Sequence, residues 1–349
     1  MRLVSNPPNP WRSDAVEWLE SIPATELRVF EQNASSALQA NDSPDVPFRL
    51  GLNPYRGCQH ACAYCYARPT HEYLDFGAGT DFDSQLVVKV DLVETLRREL
   101  SSGRRKPEVV GLSGITDCYQ PIEATYALTR GCLEALADFR WPVGIITKGV
   151  LIERDLEVLT RLRDRADLRV FVSIPFARDD DSRRVETGAP PSSRRFKTIE
   201  RLAEAGVDVG VAVSPVIPGW TDHEIPELLE RARMAGASRA FMVLLRLPGV
   251  VLEVFEQRMR AIVPERADKI LSLLRGARGG RLQDTRFGHR MRGEGPRFDM
   301  VEKLFRMHCR RLGLAADSEP EALDGLGRPR VEVERGPSQG SLFDLGGAR

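Results

Sequence analysis

The sequence predicts an α/β protein whose centre is a partial (β/α)6 barrel of the TIM type, with extensions at both ends. Three observations predict it. Short β-branched runs alternate with helical stretches from about residue 48 to residue 250, the pattern of βα units feeding a parallel sheet. Six such runs are present, at Phe48 to Leu52, Glu108 to Leu112, Val143 to Thr147, Arg169 to Ile174, Asp208 to Val213 and Ala240 to Leu244. Right-handed crossovers would curl six units of this kind into an open barrel.

The elements follow in order. Residues 1–47 are rich in Pro, Asn and Ser and read as a wrapping extension, with an amphipathic helix around Val16 to Leu19 and a strand-like run from Glu26 to Phe30. In the core, residues 48–250, helices are expected at Leu92 to Leu100, Thr125 to Phe139 and Arg154 to Arg163. The second of these carries Leu128, Cys132, Leu136 and Phe139 on one stripe. Residues 251–314 form a helical extension, with helices over 251–277 and 298–312 flanking the barrel opening and an Arg- and Gly-rich connection between them. Residues 315–349 hold too little apolar material to offset the entropy of ordering and read as a disordered tail.

Composition narrows the function classes. Hydrophobic residues make up 42% and charged residues 29%, enough apolar mass for a large core. Lys plus Arg and Asp plus Glu are each 50, so any basic surface must be local. No stretch approaches the ~18 apolar residues of a membrane span, and the first residues lack an apolar signal core; no membrane partner and a cytoplasmic location are expected. Six cysteines stand at 58, 62, 65, 118, 132 and 309, three clustered and three scattered, which is not a disulfide framework.

The cluster lies in Asn53-Pro-Tyr-Arg-Gly-Cys58-Gln-His-Ala-Cys62-Ala-Tyr-Cys65-Tyr66, directly after the first strand, where loops line active sites in barrels. Thiolates suit iron–sulfur clusters or zinc. Three on one short loop can take three corners of a cubane and leave the fourth iron without a protein ligand. A zinc site would recruit His60 or His71 as fourth ligand.

The Cys-x3-Cys-x2-Cys loop, with aromatic Tyr64 before its last cysteine, resembles the radical S-adenosylmethionine (SAM) superfamily. Asn53-Pro-Tyr-Arg-Gly-Cys58 and Thr116-Asp-Cys-Tyr-Gln-Pro-Ile-Glu123 further resemble the bacterial branch related to spore photoproduct lyase, the DNA repair photolyase-like proteins, over roughly residues 45–310. The resemblance implies a partial barrel of the radical SAM type. It implies a 4Fe-4S cluster on Cys58, Cys62 and Cys65, reductive cleavage of SAM, hydrogen abstraction from a substrate, and an external electron donor of the flavodoxin or ferredoxin type. It implies cosubstrate contacts from Tyr64 and from Ser113, Thr116 and Asp117, the last three at the methionine moiety. Lys148 is expected at the methionine carboxylate, Ser173 at the ribose, Arg195 as a carboxylate clamp with neighbouring Arg194 as the alternative, and the segment holding Val213 and Pro215 around the adenine. The lyases carry a donor cysteine shortly before the aspartate matching Asp117. Ser113 and Gly114 stand there in this chain, so thymine-dimer reversal is not expected.

Of the scattered cysteines, Cys132 and Cys309 read as structural, whereas Cys118, next to Asp117, is a functional thiol if exposed. From Arg275 to Phe298 seven arginines face two acidic residues, interleaved with Phe287, His289 and Phe298. That composition suits DNA or RNA, through phosphate contact and base stacking, and equally a salt-bridged surface loop. In the tail, Gln339-Gly-Ser-Leu342-Phe343 resembles the peptide with which bacterial repair proteins dock on the sliding clamp. The leading expectation is radical chemistry on a nucleic acid. The rivals are the same chemistry on a protein or small molecule, and a structural zinc protein without catalysis.

Overall fold

The computed structural model of the chain describes residues 2–4 and 26–316. The expected helix at Val16 to Leu19 and the tail segment Gln339 to Phe343 lie outside the described residues. In chain order the strands are β1 (Arg2–Val4), β2 (Arg28–Gln32), β3 (Gln39–Ala40), β4 (Leu50–Leu52), β5 (Tyr55–Arg56) and β6 (Gln85–Lys89). They continue as β7 (Val110–Leu112), β8 (Val143–Thr147), β9 (Leu168–Ser173), β10 (Val209–Val216), β11 (Arg239–Leu244) and β12 (Ala315–Ala316). The helices are α1 (Thr80–Ser84), α2 (Leu92–Ser101), α3 (Glu123–Tyr126), α4 (Leu128–Asp138), α5 (Leu156–Arg165) and α6 (Asp179–Val185). After these come α7 (Ser192–Glu204), α8 (Ile225–Met234), α9 (Val251–Ile262), α10 (Pro264–Gly276) and α11 (Pro296–Leu312).

Six strands, β4, β7, β8, β9, β10 and β11, are parallel neighbours in chain order, and each coincides with one of the six runs read from the sequence. The open edges are finished by short strands, β3 antiparallel to β4 and β12 parallel to β11. The order is that of a right-wound βα sheet curling into a partial barrel. The structure carries it past residue 250: α11 packs on α8 and leads into β12, so it serves as the sixth covering helix after the α9–α10 excursion.

Alternation along the strands sorts their side chains. Leu50, Leu52, Val110, Leu112, Val143, Ile145, Val170, Val172, Val211 and Val213 enter the large apolar core under the helices. The residues between them face the interior, where Phe171, Ala212, Phe241 and Val243 cluster with Phe48, Val109, Ile146 and Met291. Register aligns Gly51, Gly111 and Gly144 in one inner row. The Phe48 ring fills the space this leaves: a Cβ on Gly111 would lie 2.6 Å from it. The same alternation puts Asn53, Ser113, Lys148 and Ser173 on the inner face at the strand ends.

A second sheet, ordered β1-β2-β6-β5, joins β5 and β6 of the first crossover to β1 and β2 of the N-terminal extension. Its β2 realises the strand-like run at Glu26 to Phe30, whereas β6 was not foreseen, although Leu86-Val87-Val88 carries the β-branched signal. Lys89 ends β6 only 3% exposed, and its Nζ has no hydrogen-bond partner among the described residues.

Two predictions follow from the packing. Gly111→Ala should destabilise by about 1–3 kcal/mol through overpacking, and much of that loss should vanish in a Phe48→Ala background; equal costs in both backgrounds, by urea denaturation, would refute the contact. Burial, reinforced by Arg56, pushes the Lys89 amine down to about 8, against about 10.4 in an unfolded chain. Between those values the unfolded state holds the extra proton, so this group makes stability rise with pH. Lys89→Met should therefore raise the Tm most below pH 8, with the gain fading toward pH 10; a gain independent of pH would contradict this.

Candidate functional site

The cysteine loop leaves β4 and is fixed on every side. Cys58 N–H donates to the Phe82 carbonyl at 2.8 Å, Ala63 N–H to Val185 at 2.9 Å and Gly188 N–H to His60 at 3.1 Å. The approach of residues 185–188 is so close that a Cβ on Gly188 would lie 1.8 Å from the Gln59 carbonyl oxygen. Two arginines occupy the loop's carbonyls. Buried Arg68 donates from Nη2 to Cys62 O at 2.8 Å and from Nη1 to Ala78 O and Gly79 O, and Arg258 donates to Ala61 O at 2.9 Å. Asp83 joins them, at 2.8 Å from Arg68 and 2.5 Å from Arg258. Gln59 and Gln120 bind the loop to the one after β7: Gln59 N–H donates to Gln120 Oε1, Ile122 N–H to Gln59 Oε1, and Gln120 Nε2 to Gly57 O.

All three thiols are free of disulfides. Burial pushes each of them up, Cys62 to about 12, against the opposing pull of Lys148 on Cys62 and of Arg68 and Lys148 on Cys65. Such thiols surrender their protons to a centre of high positive charge. The donor set has the chemistry of an iron–sulfur ligand loop, three soft thiols on one stretch whose carbonyls are already engaged, although among the described residues no three such side chains converge as they would on a single metal ion. Of the histidines of the zinc alternative, His60 Nδ1 lies 3.3 Å from Asp117, and His71 places Nε2 at 2.8 Å from Gln85 O while its Nδ1 has no partner among the described residues.

Beside the loop, Tyr64, Lys148, Ser173 and Arg195 come together from four segments around one fully buried carboxylate, Glu186. Tyr64 Oη donates to Glu186 Oε1, Arg195 Nη2 is paired with Oε2, and Ser182 Oγ donates to the same oxygen at 3.1 Å. Lys148 Nζ lies 3.8 Å from Glu186, donates to Ser173 Oγ at 2.8 Å and stands 5.7 Å above the Tyr64 ring. Ser173 Oγ in turn donates to Ser214 O at 3.0 Å. Burial alone would raise the Glu186 carboxyl; Arg195 and Lys148 outweigh it and hold it below the usual range. The sequence reading passed over Glu186 as a site residue. Its signal was an acid opening a connection that also carries Arg194 and Arg195.

Several expectations are revised. Arg195 is fully buried, and the carboxylate it clamps is Glu186, with further bonds to Ser173 O at 2.9 Å and Pro190 O at 2.7 Å. Arg194 turns away to Glu153 at 2.5 Å, so Arg195 is the one inside the cluster. Asp117 serves as a clamp, accepting from Lys148 N–H at 2.7 Å, Thr147 Oγ1 at 2.5 Å and Tyr119 N–H at 2.9 Å. Burial opposes its charge, but these donors and His60 hold its carboxyl well below the usual range. Ser113 Oγ accepts from Cys118 N–H at 3.0 Å, and Thr116 Oγ1 is 3.5 Å from Gln120 Nε2. Cys118 is 1% exposed inside the main core and its thiol is pushed well up by burial, so it does not meet the exposure a functional thiol requires. Cys132 and Cys309 are core residues as expected. Val213 is buried in the same core, and Pro215 follows it within β10.

The arginine-rich connection divides in two. Arg286 pairs with Asp284, Arg290 with Asp45, Arg297 with Asp222, and Arg278 is buried against Leu245 O, while Phe298 belongs to the core. Arg275, Arg281, Arg292 and Phe287 are exposed. Met291 O accepts from Leu244 N–H at 3.2 Å and Gly288 N–H donates to Asp45, so the segment runs down the open side between β11 and the turn before β4. Helices α9 and α10 share a core with Cys62, Ala63 and Tyr64. Among the described residues, no helix is long and apolar enough to cross a membrane.

The profile of the Radical SAM superfamily matches residues 52–232. An uncharacterised protein of Mycobacterium tuberculosis (strain ATCC 25618 / H37Rv) is 43% identical over 206 residues, 58% of this chain and 61% of that protein, so the chain spans less than two thirds of that relative's length. A radical SAM Nα-GlyT isomerase of Pseudomonas phage M6 is 27% identical over 185 residues, 52% of this chain and 36% of that one. Among solved structures, spore photoproduct lyase complexed with dinucleoside spore photoproduct shares the fold, with TM-score 0.61, 15% identity, and coverage of 83% of this chain and 81% of that one.

The buried cluster yields a comparison of two ion pairs. Glu186→Gln should leave Arg195 buried without its counter-charge and cost about 3–5 kcal/mol, whereas Arg194→Gln, at a partly exposed pair, should cost about 1 kcal/mol or less. Chemical denaturation of both variants checks this; similar small losses would mean that Glu186 is not the keystone described.

Proposed function

The chain belongs to the radical SAM superfamily, and on that premise we propose that it is an enzyme holding a 4Fe-4S cluster on Cys58, Cys62 and Cys65 and cleaving SAM to abstract hydrogen from a nucleic-acid substrate. The single observation that supports it best is the assembly of Lys148, Ser173 and Tyr64 around Glu186, against a loop with three free thiols. When bound, the cluster and SAM together supply a one-electron cleavage that generates a hydrogen-abstracting radical. A small electron carrier of the flavodoxin or ferredoxin type would deliver the electron.

The chain's own residues bind and orient. Lys148 offers an ammonium to the methionine carboxylate, and Glu186 keeps that ammonium in place when the carboxylate is absent. Ser173 offers a hydroxyl to the ribose, and the small residues Ser113 and Gly114 let the cosubstrate approach the backbone after β7. Arg195 acts through Glu186 and is a positioning residue. Trp220, Phe255 and Met259, packed in one core with Cys62 and Tyr64, exclude water from one side of the loop.

A nucleic-acid substrate is supported by exposed Arg275, Arg281 and Arg292 with Phe287 and by the fold shared with spore photoproduct lyase, whose structure holds a dinucleoside photoproduct. The pairing of Arg278, Arg286, Arg290 and Arg297 within the chain favours a second reading, the same chemistry on a protein or small molecule.

After anaerobic reconstitution, Cys58→Ala, Cys62→Ala and Cys65→Ala should each lose SAM cleavage and most of the bound iron, whereas Cys132→Ala should keep both and lose only stability. A wild-type protein that takes up zinc and no iron would refute the assignment. Lys148→Met should weaken SAM binding about tenfold or more, and salt-dependent oligonucleotide binding decides the substrate class.

A further inference from the structure

The stretch from Val185 to Gly188 brackets Cys62. Ala63 N–H donates to Val185 O at 2.9 Å on one side of that cysteine, and Gly188 N–H donates to His60 O at 3.1 Å on the other. Glu186 stands between these two bonds, and the Tyr64 hydroxyl ties its carboxylate to the same loop. A buried charge is thus fixed alongside one of the three thiols by contacts that do not depend on one another.

The charges around it are set by geometry. Glu186 and Arg195 are both fully buried, and Arg195 is held in addition by Ser173 O and Pro190 O. Lys148 lies 3.8 Å from Glu186, with its side chain 15% exposed. After burial itself, these three groups act on the Cys62 thiol, the two cations favouring its thiolate and Glu186 opposing it. Across the loop, Arg68 and Arg258 are matched by Asp83. Bracing alone does not call for charge, since a buried ion pair replaced by well-packed neutral side chains is often no less stable. What neutral groups lack is a field at the neighbouring sulfur.

We infer that Glu186 is the residue through which this chain sets the reduction potential of the centre held by Cys58, Cys62 and Cys65, with Lys148 as the counter-charge that offsets it. This rests on the radical SAM reading above and adds to it the side chains that decide how readily the electron is accepted. One electron from the carrier adds one unit of negative charge beside Cys62. A carboxylate there opposes that addition, and an ammonium favours it. Lys148 is also the group offered to the methionine carboxylate, so occupancy of the site alters the charge balance that the incoming electron meets.

The test is a redox titration of the anaerobically reconstituted holoenzyme, followed by electron paramagnetic resonance. Glu186→Gln should raise the midpoint potential and Lys148→Met should lower it. Each should change the reduced-to-oxidised ratio at fixed potential about tenfold, which is about 59 mV for one electron. Loss of a merely structural brace would admit water and move both variants the same way. Because Glu186→Gln removes a buried counter-charge, Lys148→Met decides by itself where the first variant does not fold. Shifts of equal sign, or a wild-type potential in Lys148→Met, would overturn the inference while leaving the radical SAM reading standing. A wild-type protein that forms no iron–sulfur centre at all would overturn both.

Discussion

A carboxylate sealed from solvent organises the rest. Glu186 receives Tyr64, Arg195 and Ser182 directly and faces Lys148, so two residues far off in sequence and two from its own stretch of chain are referred to one charge. In a medium of low polarity such a charge must be matched, and the matching groups lose their freedom to point elsewhere. The segment that follows Glu186 also packs edge-on against Gln59 and His60. The position of the thiols and the position of the Lys148 ammonium are therefore set by the same short stretch of chain.

The cysteine loop illustrates a complementary economy. It is irregular backbone carrying three thiols, and irregular backbone buried under helices leaves carbonyls to satisfy. Arg68 and Arg258 do so, and the charge of Arg68 also opposes the effect of burial at Cys65. In Arg68 structural support and electrostatic preparation fall to one side chain, with Asp83 tying it to Arg258.

Much of this was legible from residue order. Short β-branched runs located the six parallel strands, because buried parallel strands have little else to be made of. The thiol trio was legible because three cysteines at that spacing are chemically specific, and Lys148 only through the family resemblance. Three things were not. Strand β6 pairs with β2 and β5 across long stretches of chain, so its existence depends on partners that local pattern does not reveal. Glu186 looked like one acid in a charged run, and only the fold shows that its side chain is turned inward. The arginines of residues 275–298 looked alike by composition, yet tertiary partners divide them into buried, paired and exposed groups.

The ion pair between Arg290 and Asp45 spans 245 positions of sequence. Contacts so far apart in sequence cost loop-closure entropy before they return any stabilisation, although that cost grows only slowly with length. As the chain emerges during synthesis, the cysteine loop and every inner strand precede the segment that spans the gap between first and last strands. The lateral side of the barrel is thus closed by chain made after the strands it joins.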